Sequence, residues 1–325
     1  METVFLDRGS LDRGDLDLQP LHDATTHLRC YPRTHPEAVQ SRLQGAEAVI
    51  VNKVPLDAAT LAALPALRLI AVAATGTNNV DLEAARSRGI TVTNCRGYGT
   101  AAVAQHALAL ILNLFTRMPA AMAKVRAGAW SSSPHFCLID PATRELSGKR
   151  LGIVGYGALG QCVAQLAEAL GMEVWIAERP GAAKHRPGRR AFEEVLAEVD
   201  VLSLHCPLTE ENRSLIDRQA LRAMRDDALL INTARGGLVD EQALAVALRN
   251  EEIGGAGLDV LTQEPPPADH PLLAEDLPHC IVTPHSAWSA VEARQRIVQQ
   301  LSEILKAAGA GKKPPNCVVV AETLQ

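Results

Sequence analysis

The chain has 325 residues, 47% hydrophobic and 21% charged, with a formal net charge of -5. That length exceeds what one hydrophobic core usually supports, so two domains are expected, and the ordinary composition excludes disorder or coiled coil for most of the chain. With no excess of basic residues there is no field to attract a phosphate backbone, which argues against nucleic acid as a partner.

The opening METVFLDRGSLDRGDL carries acidic residues and no apolar stretch of signal-peptide type. Seven scattered cysteines without CxxC spacing read as free thiols, with no disulfide framework and no metal site. Both features lead to the expectation of a cytoplasmic protein.

AEAVIVN, DAATLAAL, LRLIAVAA, NVDLEAARSRG and ITVTNC then alternate short apolar runs with helical patterns. They predict an α/β unit with its own sheet and no phosphate-binding glycine fingerprint. Lys53, after the AVIV run, sits at the carboxyl edge of that sheet and alone reads as a solvated lysine. Thr75, Gly76 and Thr77 end the next run, where free backbone N–H groups ahead of a helix suit a substrate carboxylate. Asn78 or Asn79 as a plain helix cap explains the same residues equally well.

Residues 100–118, TAAVAQHALALILNLFTRM, predict a long helix that is apolar nearly all round, either a domain spine or a subunit contact. Gln105, His106 and Asn113 interrupt it, and it is too short to span a bilayer comfortably, so no membrane is expected.

From Leu151 the grammar tightens: LGIVG, EVWIAE, DVLSLH, DALLINTA, GGAGLDV and CIVTPH, separated by helical patterns. Continuous apolar runs imply strands covered on both faces, hence a doubly wound parallel sheet. A last helix, AVEARQRIVQQLSEILKAAG, and a short extended tail, NCVVVA, follow.

Gly155, Gly157 and Gly160 form GxGxxG directly after a predicted strand. The three serve the tight turn, the close approach of a pyrophosphate and the packing of helix on strand. Glu178, eighteen residues after Gly160, suits both hydroxyls of an adenosine ribose, which favours NAD. Arg179 beside it is placed to pair with a 2′-phosphate, which keeps NADP open.

Arg235 follows the LLINTA run and precedes Gly236 and Gly237, which are expected to turn the backbone away and leave the guanidinium projecting into a crevice. His285 in TPHSAW can exchange a proton near neutral pH, as a carbonyl reduction requires. Its orienting carboxylate is Glu264 in DVLTQEPPP or Asp259 in GGAGLDV; Asp259 would otherwise meet a cofactor carboxamide.

Taken together, GYGALG with Glu178, NTARGGLVD, GLDVLTQEPP and TPHSAW resemble the D-isomer-specific 2-hydroxyacid dehydrogenase family, and ATGTNNVDL and VAQHALALIL extend the likeness over essentially the whole chain. IAER, LHCPLT and PHSAW look most like its hydroxypyruvate reductase and glycerate dehydrogenase group. The resemblance implies a Rossmann domain, residues 100–288, inserted into a flavodoxin-like substrate domain made of residues 1–99 and 289–325, with a cleft that closes in catalysis. It implies His285 as acid and base, Glu264 as its partner and Arg235 as the clamp on the substrate carboxylate.

The same resemblance implies a cofactor site of Gly155 to Gly160, including Tyr156, Ala158 and Leu159, with Glu178, Arg179, His205, Cys206, Pro207, Thr233, Ala234, Arg235, Asp259, His285 and Ala287. Lys53, Thr75, Gly76, Thr77, Arg235, His285 and Trp288 would meet a small 2-keto or 2-hydroxy acid, hydroxypyruvate or glyoxylate first. Relatives usually dimerise through the 100–118 helix. Other readings on this fold are a nucleotide-sensing corepressor-like protein and a formate or phosphite dehydrogenase.

Overall fold

The computed structural model describes residues 1–182 and 184–320. The chain divides into two compact units, Met1–Gly99 with Ser289–Gln325, and Thr100–Trp288.

The first unit holds strands β1 (Glu2–Phe5), β2 (His27–Cys30), β3 (Ala48–Val51), β4 (Leu69–Val72) and β5 (Thr91–Asn94). They run parallel in the spatial order β2, β1, β3, β4, β5, the flavodoxin order, and Cys317–Val319 adds an antiparallel strand beside β5. Every residue of β3, β4 and β5 is buried; β3 and β4 read for that reason as unbroken apolar runs, AVIV and LIAV, while β5, TVTN, buries two threonines and an asparagine. β2 is an edge strand whose residues alternate between exposed and half-buried, so HLRC carries no apolar run to announce it. The last residue of the expected tail, Ala321, lies outside the described residues.

Helix Val291–Gly309 covers this unit with a face of Ala293, Ile297, Val298, Leu301, Ile304 and Leu305, the spacing of an amphipathic helix. Its buried Arg294 makes a forked ion pair with Asp15 (2.8 and 2.6 Å) and donates to the carbonyls of Leu11 and Ser289.

The second unit holds β6 (Arg150–Val154), β7 (Glu173–Ala177), β8 (Arg189–Arg190), β9 (Val201–Leu204), β10 (Leu229–Asn232), β11 (Gly255–Leu258) and β12 (Cys280–Val282). All are parallel, in the order β12, β11, β10, β9, β6, β7, β8. The order reverses between β6 and β9, and ligands of open α/β sheets collect in the crevice outside the carboxyl ends at such a switch point.

Helix Thr100–Thr116 buries Ala104, Ala107, Leu110, Ile111, Leu114 and Phe115. It lies close on β11, where a β-carbon on Gly257 would come 3.0 Å from that of Leu110. The helix expected to reach residue 118 breaks at Arg117, whose φ is +51°, and Met118–Arg126 resumes at a bend of 58°. No single helix among the described residues is long and apolar enough to cross a membrane. Beyond the break the apolar side chains face solvent: Met118, Met122, Val125 and Trp130 are about half exposed, and Phe136 and Ile139 are 91% and 87% exposed.

Candidate active site

The glycine-rich turn follows β6 at the switch point. Gly155 has φ +95°, and a β-carbon there would lie 2.5 Å from the backbone nitrogen of Cys206, the residue that follows β9 and His205. A β-carbon on Gly160 would lie 2.2 Å from the Gly155 carbonyl oxygen, so the helix can rest on the turn only without one. At Gly157 nothing stands within 4 Å of the same position, and Gly157 and Ala158 are exposed. Helix Ala158–Ala169 begins there with no side-chain cap, which leaves its first N–H groups for an anion.

Two buried polar atoms face the same sheet edge with no partner among the described residues, His205 Nδ1 and Thr233 Oγ1. The other ring nitrogen of His205 meets Ser203 Oγ at 2.8 Å, and desolvation lowers the histidine to about 4, so the ring is neutral. Unsatisfied groups of this kind at the ends of β9 and β10 fit the hydroxyls or amide of a bound dinucleotide. Tyr156 and Leu159 are half-buried beside the turn, and Pro207 is exposed.

Arg235 follows β10 and is exposed. Asn232 clamps its loop, accepting from Ala234 N at 3.0 Å and donating to the Arg235 carbonyl at 2.8 Å. The backbone turns at once after it, into the 3-10 turn Gly236–Leu238, and neither glycine needs a positive φ to do so. Gly236 is required by contact: a β-carbon there would lie 2.0 Å from the carbonyl carbon of Leu261, three residues before Glu264.

His285 follows β12 with φ +50°, the left-handed region that costs a non-glycine residue about 1 kcal/mol or more. Its neighbours hold it there. Its Nδ1 meets Glu264 Oε2 at 2.6 Å, while Glu264 Oε1 accepts from Leu261 N at 2.9 Å. The indole of Trp288 donates to the His285 carbonyl at 2.9 Å. Nε2 is left as the ring nitrogen without a partner among the described residues.

Asp259 is not the ring's partner. Its buried carboxylate accepts from Ser286 N (2.9 Å), Ala287 N (2.8 Å) and Thr283 Oγ1 (2.6 Å), fastening the loop that carries the histidine. Since the Thr283 hydroxyl gives its proton to Asp259, it accepts at 2.9 Å from His106 Nε2 on the Thr100–Thr116 helix. This chain from His106 to Asp259 was not legible in the sequence, where His106 figured only as an interruption in an apolar helix.

Glu178 also departs from expectation. It is buried at the end of β7, and its carboxylate is taken by Arg186 and by the Arg179 backbone, so it offers nothing free to a ribose.

In the first unit, the Asp7 carboxylate joins the ends of β1 and β3 by accepting from Asn52 N (2.9 Å) and Lys53 N (2.7 Å), and the Lys53 side chain is exposed. The Thr75 hydroxyl donates to the Cys95 carbonyl at 3.0 Å. The helix expected directly after Thr75–Thr77 starts only at Leu82, capped by Asp81, so those residues are not at a helix N-terminus and neither Asn78 nor Asn79 is the cap. Asn79 instead donates to the Val54 carbonyl.

Residues 108–287 match the family model described as "D-isomer specific 2-hydroxyacid dehydrogenase, NAD binding domain". The chain is 44% identical to a glycerate dehydrogenase of Methylorubrum extorquens, over 98% of each chain. It is 38% identical to a hydroxypyruvate reductase of Blautia hydrogenotrophica, over 94% of this chain and 97% of that one. Among solved structures, an NADPH-dependent glyoxylate/hydroxypyruvate reductase from Sinorhizobium meliloti superimposes with a TM-score of 0.82 at 26% identity, covering both chains completely. The chain is thus matched along nearly its whole length, and it belongs to the D-isomer-specific 2-hydroxyacid dehydrogenase family of NAD(P)-dependent oxidoreductases.

Proposed function

We propose that this chain interconverts a small 2-keto acid and its D-2-hydroxy acid, with hydroxypyruvate or glyoxylate as the preferred keto acid. The observation that carries the chemistry is the 2.6 Å contact of His285 Nδ1 with Glu264, which leaves Nε2 to deliver a proton. A nicotinamide held at this sheet edge would supply or take up the hydride. His285 Nε2 gives its proton to the substrate carbonyl oxygen in reduction and takes one from the hydroxyl in oxidation. Glu264 holds the ring in one orientation. Arg235 pairs with the substrate carboxylate through its fork and draws charge from the adjacent carbonyl.

The substrate choice is supported by relatives named glycerate dehydrogenase and hydroxypyruvate reductase. Met1–Gly99 with Ser289–Gln325 is assigned as the substrate domain, with Lys53 and the Thr75–Thr77 turn as its contacts, and Thr100–Trp288 as the cofactor domain. Exposed Met118, Met122 and Trp130, at and just past the end of the 100–118 segment, support a homodimer through that region. Seven free thiols, with Cys95 and Cys280 pushed up to about 12 by burial, suit a cytoplasmic setting.

The test is a steady-state panel of hydroxypyruvate, glyoxylate, pyruvate and larger 2-keto acids with NADH and NADPH. The two small acids should give the highest kcat/KM, and His285→Ala should lose roughly 100- to 10,000-fold in kcat while still binding nucleotide. Turnover of that variant at the wild-type rate, or a preference for larger acids, would overturn the reading.

A further inference from the structure

The carboxylate at the end of β7 is the group that normally decides between NAD and NADP in a dinucleotide fold, because it accepts from the ribose hydroxyls and repels a 2′-phosphate. Here it does neither freely. A carboxylate offers about four acceptor directions. In Glu178, Oε1 takes Arg179 N at 2.9 Å together with Arg186 Nη2, and Oε2 takes Arg186 Nε at 2.8 Å together with Arg186 N at 3.1 Å. A ribose hydroxyl can reach Glu178 only by displacing a forked ion pair.

The charge is answered in the same place. The guanidinium holds the carboxyl well below the usual carboxylate range, so Glu178 stays ionised, and Arg186 cancels it. Arg179 is exposed and its side chain has no partner among the described residues. The next two arginines are engaged elsewhere: Arg189 with the Ala177 carbonyl, and Arg190 with Glu194 and, at 3.7 Å, the ring of Trp175. The strand end therefore presents the exposed Arg179 guanidinium beside a carboxylate whose acceptor directions are already taken.

We infer that Arg186, by occupying Glu178, sets this end of the crevice to receive a 2′-phosphate, with Arg179 as the group that pairs with it, so that the chain binds NADPH at least as tightly as NADH. Half the Arg186 side chain is exposed, so its removal leaves no hole in the core.

The experiment is direct titration of NADH and of NADPH into the purified protein, followed by nucleotide fluorescence, for the wild type, Arg186→Ala, Arg179→Ala and the double variant Glu178→Ala/Arg186→Ala. The wild type should bind NADPH no more weakly than NADH. Arg186→Ala uncovers the carboxylate and should raise the ratio of the NADPH to the NADH dissociation constant at least about tenfold. Arg179→Ala should weaken NADPH and leave NADH within about twofold. The double variant should return the ratio toward the wild-type value, a rescue that a merely structural role for Arg186 would not give. A wild type that favours NADH, or an Arg186→Ala ratio that moves less than tenfold, overturns the inference.

Discussion

Gly236 lies with its Cα turned onto the backbone of Leu261, so closely that a β-carbon would stand 2.0 Å from the Leu261 carbonyl carbon and 2.3 Å from Thr262 N. The contact joins the loop of Arg235 to the loop of Glu264, so Arg235 and the partner of His285 are held at one fixed distance. Gly236→Ala forces backbone against backbone, and overpacking of that kind costs about 1–3 kcal/mol or more. We predict a lower Tm and at least a tenfold loss of kcat, checked by thermal unfolding and steady-state rates; Gly157→Ala, where the space is open, should leave Tm unchanged.

Asp259→Asn tests the anchor of the histidine loop. The carboxylate receives two N–H groups and one hydroxyl, and an amide can serve only one side, leaving a donor facing a donor. An unsatisfied buried group costs about 1–3 kcal/mol, and His285 loses the restraint that keeps its φ at +50°. The expected outcome is a fall in both Tm and kcat. Thr283→Val, which cuts the link to His106 but spares the two amides, should show a smaller fall in each; equal losses would place the restraint elsewhere.

Glu264→Gln keeps the shape of the pair and removes its charge. The Gln oxygen can still accept from Leu261 N, after which its amide group faces His285 Nδ1 and forces the opposite tautomer on the neutral ring. We predict a drop in kcat of roughly tenfold to a hundredfold, within the share that acid–base catalysis supplies, with little change in the KM of the keto acid. A variant whose loss lies in KM alone would assign Glu264 to substrate binding.

Asp15 gives a pH signature in the first unit. Arg294 holds its carboxyl well below the usual carboxylate range. A group whose folded pKa is depressed contributes stability above its unfolded pKa, about 3.9, and loses that contribution as pH falls through the folded value. Asp15→Asn should therefore lower Tm at pH 7, and the difference from wild type should shrink below pH 4 and vanish in stronger acid. A constant difference across that range would remove the ion pair as its cause.

Much of this fold could be read from the chain because buried parallel strands write unbroken apolar runs, as in AVIV and LLIN. β2 and the two-residue β8 escaped because edge strands need no such run. Within the candidate site, the positions at strand ends were legible: Arg235, Glu264 and His285 each follow an apolar run within a few residues. Groups that act through another residue were not. Arg186 reaches Glu178 from a turn with no periodicity, and His106 meets Thr283 across 177 positions, a pairing no local pattern encodes. The glycines after Arg235 were read from the sequence as a turn, which the backbone makes; the close approach of Gly236 to Leu261, which excludes a side chain there, had no signal in the sequence.

The strand Cys317–Val319 pairs with β5, and the helix that covers the same sheet begins at Val291. During synthesis the first five strands emerge early, yet their sheet cannot close one edge or cover one face until the segment 291–319 has left the ribosome. The inserted unit has all of its own strands between residues 150 and 282 and can form while the earlier segment waits. Until then β5 keeps an open row of backbone donors and acceptors, an edge that another strand can pair with.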